Sequence, residues 1–220
     1  MTKPEEFTVS EARPLPVILL LDASGSMAGD KISILNAAVR EMLQSFAAED
    51  DIAASIHVGV IQFGGSVSWH QPLLPVEDVM AQWHDLTASG KTPLGEALTL
   101  LRESLDDRSM ISSRAYRPTI VLVSDGKPTD EWGGPMHELL ISPRASKAAR
   151  FAMGIGEDAD SVVLSAFIGS DGSPRVFEAH EAGRIQKFFR FVTMSVTTRS
   201  RSGNPNEIVP ADPDDYDFDY

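Results

Sequence analysis

The chain has 220 residues, 42% of them hydrophobic and 7% aromatic, enough to bury one full core in a single domain. Its formal net charge of -13 is uneven, with Glu207, Asp212, Asp214, Asp215, Asp217 and Asp219 and no Lys or Arg in residues 204–220; so acidic a surface repels phosphate backbones, arguing against nucleic acid and for cations or basic proteins. The absence of cysteine excludes disulfides, thiol catalysis and Cys-ligated zinc, and no apolar run approaches the ~20 residues of a membrane span, so the expectation is a cytoplasmic chain with no membrane partner.

In chain order, a polar lead over 1–13 gives way to Leu15–Leu21, continuously apolar and therefore predicted as a strand buried on both faces. In "GDKISILNAAVREMLQSFAAED", Ile32, Leu35, Val39, Met42 and Phe46 recur at helical spacing and predict an amphipathic helix. Ser55–Phe63 reads as a second strand, and a Gly-Gly turn leads into a short third, Ser66–His70, paired antiparallel to it. A helix striped by Leu94, Ala97, Leu98, Leu101 and Leu105 follows, with Thr92 expected as its N-cap and Pro93 at its first position.

"RPTIVLVSDG" repeats the opening pattern of apolar strand followed by aspartate. Next come a partly helical stretch broken at Pro143, a strand at "RFAMGIG", a helix at "DADSVVLSAFIG", a last strand at "RVFEA" and a closing helix at "GRIQKFFRFVTMSV". Dense apolar strands alternating with helices imply a doubly wound, Rossmann-like α/β domain in three layers, its central sheet mainly parallel with one antiparallel edge strand. That domain is expected over 14–197, and an acidic, disordered tail over 198–220.

Ligands of open parallel sheets bind beyond the carboxyl ends of the strands, near the point where strand order reverses. Three loops bring oxygen-bearing side chains toward such an edge: Asp22, Ser24 and Ser26 after the first strand, Thr92 before the Leu94 helix, and Asp125 after "TIVLVS". Taken singly, the serines could be turn residues, Thr92 a plain cap and each aspartate a solvated strand end. Together, two carboxylates and three hydroxyls without histidine or thiol form a hard oxygen set suited to Mg²⁺ or Mn²⁺.

The segments "DASGSM", "SGKTPLGEAL" and "VSDGKPTDEW" resemble the three pieces of the metal-ion-dependent adhesion site of von Willebrand factor type A (VWA) domains, with Asp22, Ser24, Ser26, Thr92 and Asp125 at the five family positions. Within that family, "RPLPVILLLDASGSM", "SDGKPTDEW" and "MGIGEDAD" are most similar to bacterial tellurite-resistance (TerY-like) proteins. The resemblance implies a VWA fold in a cytoplasmic protein that acts beside a protein kinase and a metal-dependent phosphatase in tellurium resistance, stress or phage defence. It also implies that the serines, and the threonine in the ligand-occupied state, touch the metal while the aspartates act largely through water. A partner's Asp or Glu would take the vacant position, making the site a binding device rather than an enzyme.

Three rivals can be weighed on the same residues. "GIGEDA", Gly154–Ala159, fits a dinucleotide fingerprint with Glu178 downstream, but Glu157 and Asp158 oppose a pyrophosphate at the helix start. A phosphatase of the haloacid-dehalogenase kind needs a second aspartate two residues after Asp22, where Ser24 stands, and serine hydrolysis fares worse, since neither serine is framed as G-x-S-x-G. His57, His70, His84, His137 and His180 show no metal-ligand spacing and read as surface or core residues unless the fold brings two together. In the tail "DPDDYDFDY", the acids either solvate a disordered end or enter a metal site, its own or a neighbour's, anchored by Tyr216, Phe218 and Tyr220.

Overall fold

The computed structural model describes residues 12–49, 54–169, 176–179 and 182–207. Its six-stranded sheet has the order β3-β2-β1-β4-β5-β6, formed by β1 (Arg13–Asp22), β2 (Ala54–Gly64), β3 (Ser66–Pro75), β4 (Thr119–Ser124), β5 (Ala149–Ile155) and β6 (Phe177–Ala179). All neighbours pair in parallel except β2 and β3, so the expected architecture and its antiparallel edge are both present.

The apolar run of β1 is continuous because both faces are covered. Leu15, Val17, Leu19 and Leu21 join the core beneath α1 (Asp30–Ala47) and α6 (Ala182–Arg201), while Ile18 and Leu20 point into the opposite core. That second core is closed by α3 (Leu94–Asp106), α4 (Gly133–Ile141) and α5 (Ser161–Ile168). Each stripe residue expected on α1, from Ile32 to Phe46, is buried. Burial of a full aliphatic side chain is worth about 1.5–3 kcal/mol, so these two apolar layers, not local propensity, hold β1 at the centre of the sheet.

Four features differ from the sequence expectation. The third strand continues to Pro75, since an edge position leaves one flank unpaired and tolerates Pro72 and Pro75. A helix α2 (Val76–Gln82) follows it directly, burying only Val76 and Val79, too short a stripe to stand out in the sequence. Pro93 precedes the first helical residue, Leu94, instead of opening the helix, and Thr92 is not the cap. Finally, the boundary expected after residue 197 falls inside α6, where Arg199 and Ser200 are buried. Arg199 donates to the carbonyls of Arg117 and Pro205 and to the Thr119 hydroxyl, and the Arg117 N–H donates to the Asn206 side chain, which ties the chain to the start of β4. The remaining acidic tail lies outside the described residues, as do His180 and most of the N-terminal lead.

With β1 flanked by β2 on one side and β4 on the other, the order reverses between β1 and β4. In sheets of this kind ligands bind above the carboxyl ends of the strands at that point. Asp22 ends one and Asp125 follows the other.

Candidate metal centre

Asp22 is fully buried and clamped at both oxygens. Its Oδ1 accepts the Ser24 N–H at 2.8 Å, the local turn that an aspartate forms with the backbone two residues on, and its Oδ2 accepts the Ser124 hydroxyl at 2.5 Å. Ser26 donates to Asp125 Oδ1 at 2.7 Å, and the Ser24 and Ser26 hydroxyl oxygens are 3.0 Å apart. The Ser26 proton goes to Asp125, and lone pairs remain on the hydroxyl oxygens of both serines. Four of the five expected residues thus form one hydrogen-bonded chain across the switch point.

Thr92 reaches the same edge on a loop pinned from two sides. The carbonyl of its near neighbour Gly90 accepts the Gly25 N–H at 3.0 Å, and the Lys91 carbonyl accepts from Gly65. Gly90 has a φ of 69°, and a Cβ there would lie 2.3 Å from the Gly65 Cα, so only glycine lets these loops meet so closely. From the other side, the Thr92 N–H donates to Thr129 Oγ1 at 3.1 Å and the Thr92 carbonyl accepts from Thr129 at 2.9 Å. No hydrogen bond joins the Thr92 hydroxyl to the other four side chains among the described residues.

The capping task expected of Thr92 falls instead to Asp130, whose two carboxylate oxygens accept the N–H groups of Gly95 and Glu96 at 3.0 and 2.9 Å. Asp130, 35 residues beyond Gly95, thus caps α3, and the Thr92 hydroxyl makes no hydrogen bond among the described residues. The "TDE" of the loop after Asp125 is therefore its scaffold: Thr129 fixes Thr92, Asp130 caps α3, and Glu131 accepts from Gly134 at the start of α4.

Electrostatically the centre is under-compensated. Burial pushes the Asp22 carboxyl above the usual carboxylate range, against hydrogen bonds from Ser124 and Ser24 and with help from the negative charge of Asp125. Asp125 is paired with Lys31, Nζ to Oδ2 at 2.5 Å, whereas Asp22 has hydrogen-bond donors but no cation within salt-bridge distance among the described residues. A hard divalent cation fits this set, because it would bring counter-charge to a buried carboxylate that lacks it and find only oxygen donors around it. Asp22, Ser24, Ser26, Thr92 and Asp125 are the residues that could hold it, directly or through water.

The rival sites do not assemble. The segment Gly154–Ala159 is followed by Asp160, which caps α5 at Ser161, so Glu157 and Asp158 lie in the turn before the helix and not at its start as expected; the Asp160 side chain accepts the N–H groups of Val162 and Val163 and so fills the helix N-terminus that a pyrophosphate would need. Asp22 has both oxygens engaged and no exposed surface, a poor setting for a nucleophile. Two histidines do meet, His70 and His84, with ring centroids 4.2 Å apart and His70 Nε2 donating to the His84 carbonyl. No group of three His, Cys, Asp or Glu side chains able to hold a metal occurs among the described residues. No helix among them is long and apolar enough to cross a membrane.

Comparison with known proteins gives a consistent picture. The model of the von Willebrand factor type A domain family matches residues 17–191. The chain is 30% identical over 137 residues to the magnesium-chelatase 60 kDa subunit of Rhodobacter capsulatus, covering 61% of this chain and 23% of that protein. It spans less than a quarter of the length of the curated relatives it matches first. Proximal thread matrix protein 1 from the mussel byssus shares the fold, with a TM-score of 0.66 at 21% identity over 82% of this chain and 47% of that one. A second structure of that mussel protein, with a TM-score of 0.65 at 20% identity and the same coverage of 82% and 47%, has a zinc-occupied MIDAS motif.

Proposed function

The chain belongs to the von Willebrand factor type A domain family, and on that premise we propose that it is a divalent-metal-dependent recognition module that captures an acidic residue of a protein partner. The observation that carries this reading is Asp22: a fully buried carboxylate without a cationic partner among the described residues, joined through Ser24 and Ser26 to Asp125 at the switch point of the sheet. Mg²⁺ or Mn²⁺ suits the all-oxygen set of Asp22, Ser24, Ser26, Thr92 and Asp125. When bound, the ion would supply the positive charge that attracts an external Asp or Glu. The protein's part is to offer mostly neutral hydroxyls around it, so that two carboxylates do not quench that charge, and to hold the Thr loop against the Asp loop through Thr129.

The finer reading is a cytoplasmic bacterial protein of the tellurite-resistance kind, acting with a kinase and a phosphatase in stress or phage defence. It is supported by the wording of "DASGSM", "SDGKPTDEW" and "MGIGEDAD". On this reading the chain is not itself an enzyme, since none of the five residues is placed as a base or an accessible nucleophile.

The test is capture of partners from a bacterial lysate with Mg²⁺ and again with a chelator, using the wild-type chain and Thr92→Ala. The expected result is a protein retained only with Mg²⁺ and lost in Thr92→Ala, whose far-ultraviolet circular dichroism stays that of the wild type. Capture indifferent to both changes, or Mg²⁺-dependent turnover of p-nitrophenyl phosphate by the purified chain, would overturn the proposal.

A further inference from the structure

Lys31 lies outside the five-residue set, yet it reaches the centre from the first turn of α1 and places Nζ 2.5 Å from Asp125 Oδ2. The Asp125 side chain is 0% exposed and that of Lys31 36%, so the ammonium sits at the mouth of the site and covers a buried acid. Its far end lies near the turn after β5: a Cβ built on Gly156 would lie 3.7 Å from Lys31 Nζ and 3.9 Å from Cε. Gly156 has a φ of 81°, a conformation L side chains rarely adopt, and the glycine of "GIGEDA" thus lets the chain turn beside the lysine. The ion pair with Asp125 fixes Lys31 at the end of β4, with the turn after β5 close by.

We propose that Lys31 is a built-in counter-charge of the metal centre, lowering its affinity for the divalent cation and raising the affinity of the loaded centre for a carboxylate. This rests on the metal-binding reading above. Asp22, Asp125 and Lys31 together carry one net negative charge; a divalent cation turns that into one net positive charge, whereas without the ammonium the loaded centre would be neutral. A single positive charge therefore acts with opposite sign on the two ligands: it repels the ion and attracts the acid that the ion receives. A purely structural lysine would not produce that opposition.

The experiment titrates Mg²⁺ by calorimetry into wild type, Lys31→Met and Lys31→Arg, then titrates acetate into the Mn²⁺-loaded proteins followed by water-proton relaxation. Circular dichroism in chelator checks folding, and Lys31→Gln replaces Lys31→Met if the latter does not fold. Lys31→Met is expected to bind Mg²⁺ about tenfold more tightly and acetate more weakly by a similar factor, the scale of one charge acting on a divalent ion through a partly solvated medium. Lys31→Arg keeps the charge and is expected to match the wild type on both counts. Equal or weaker Mg²⁺ binding by Lys31→Met overturns the inference, as does unchanged acetate binding. A wild-type chain that binds neither Mg²⁺ nor Mn²⁺ overturns the metal reading, and this inference with it.

Discussion

At the scale of residues, the centre depends on how Asp22 carries its charge. The folded chain holds the Asp22 proton at pH values where the unfolded chain, near its ordinary 3.8, has already lost it. Its contribution to the stability of the metal-free protein is therefore largest below 3.8 and declines as pH rises through the raised folded value. Asp22→Asn keeps the acceptor for the Ser24 N–H and can donate to the Ser124 oxygen while removing the buried charge. Metal-free Asp22→Asn is expected to melt above the wild type at neutral pH, to lose the acid-side gain in stability, and to show no further rise on adding Mg²⁺. Scanning calorimetry between pH 4 and 8 checks this; a lower melting temperature with an unchanged pH slope would contradict it. The local part of this chemistry was legible in "DASGS", because an aspartate two residues before a serine forms its turn locally. The Ser124 and Lys31 partners were not, since they lie 102 and 94 positions from the acids they bind and only the parallel sheet brings them together.

At the scale of elements, sequence periodicity located β1, α1 and α3 because each buries a regular apolar stripe, and the two buried faces of β1 account for its unbroken run. It misassigned the start of α3 for a physical reason. Thr92-Pro93 has the local chemistry of a helix start, but the Thr92 main chain is taken by Thr129 and the cap comes from Asp130 across the molecule. Asp130→Ala is expected to lower stability by about 1 kcal/mol, as loss of a cap usually does. That corresponds to a fall of a few degrees in melting temperature for a domain of this size. Asp130→Asn, which still accepts from the helix start, is expected to recover most of the loss. If thermal melts show Asp130→Ala equal to wild type, the cap contributes nothing and Thr92 has another support. The end of α6 was hidden in the same way: its polar composition suggested a tail, while the buried Arg199 holds it to Thr119 and Pro205 through hydrogen bonds that composition does not record.

At the scale of the molecule, the strand order 3-2-1-4-5-6 does what no single motif does. It brings three segments separated by up to about a hundred positions to one edge of the sheet, with a core packed on either face below it. The strongly acidic surface would hold acidic partners away, so a locally positive, cation-loaded centre is the place where such a partner gains most. The central claim is that one hard divalent cation sits among Asp22, Ser24, Ser26, Thr92 and Asp125. The most direct measurement is an anomalous-difference map from crystals of the full chain soaked in Mn²⁺. The account predicts a single strong peak bounded by these five side chains, with the Thr92 hydroxyl turned toward it. A map with no peak there, or with manganese bound only elsewhere, would contradict it.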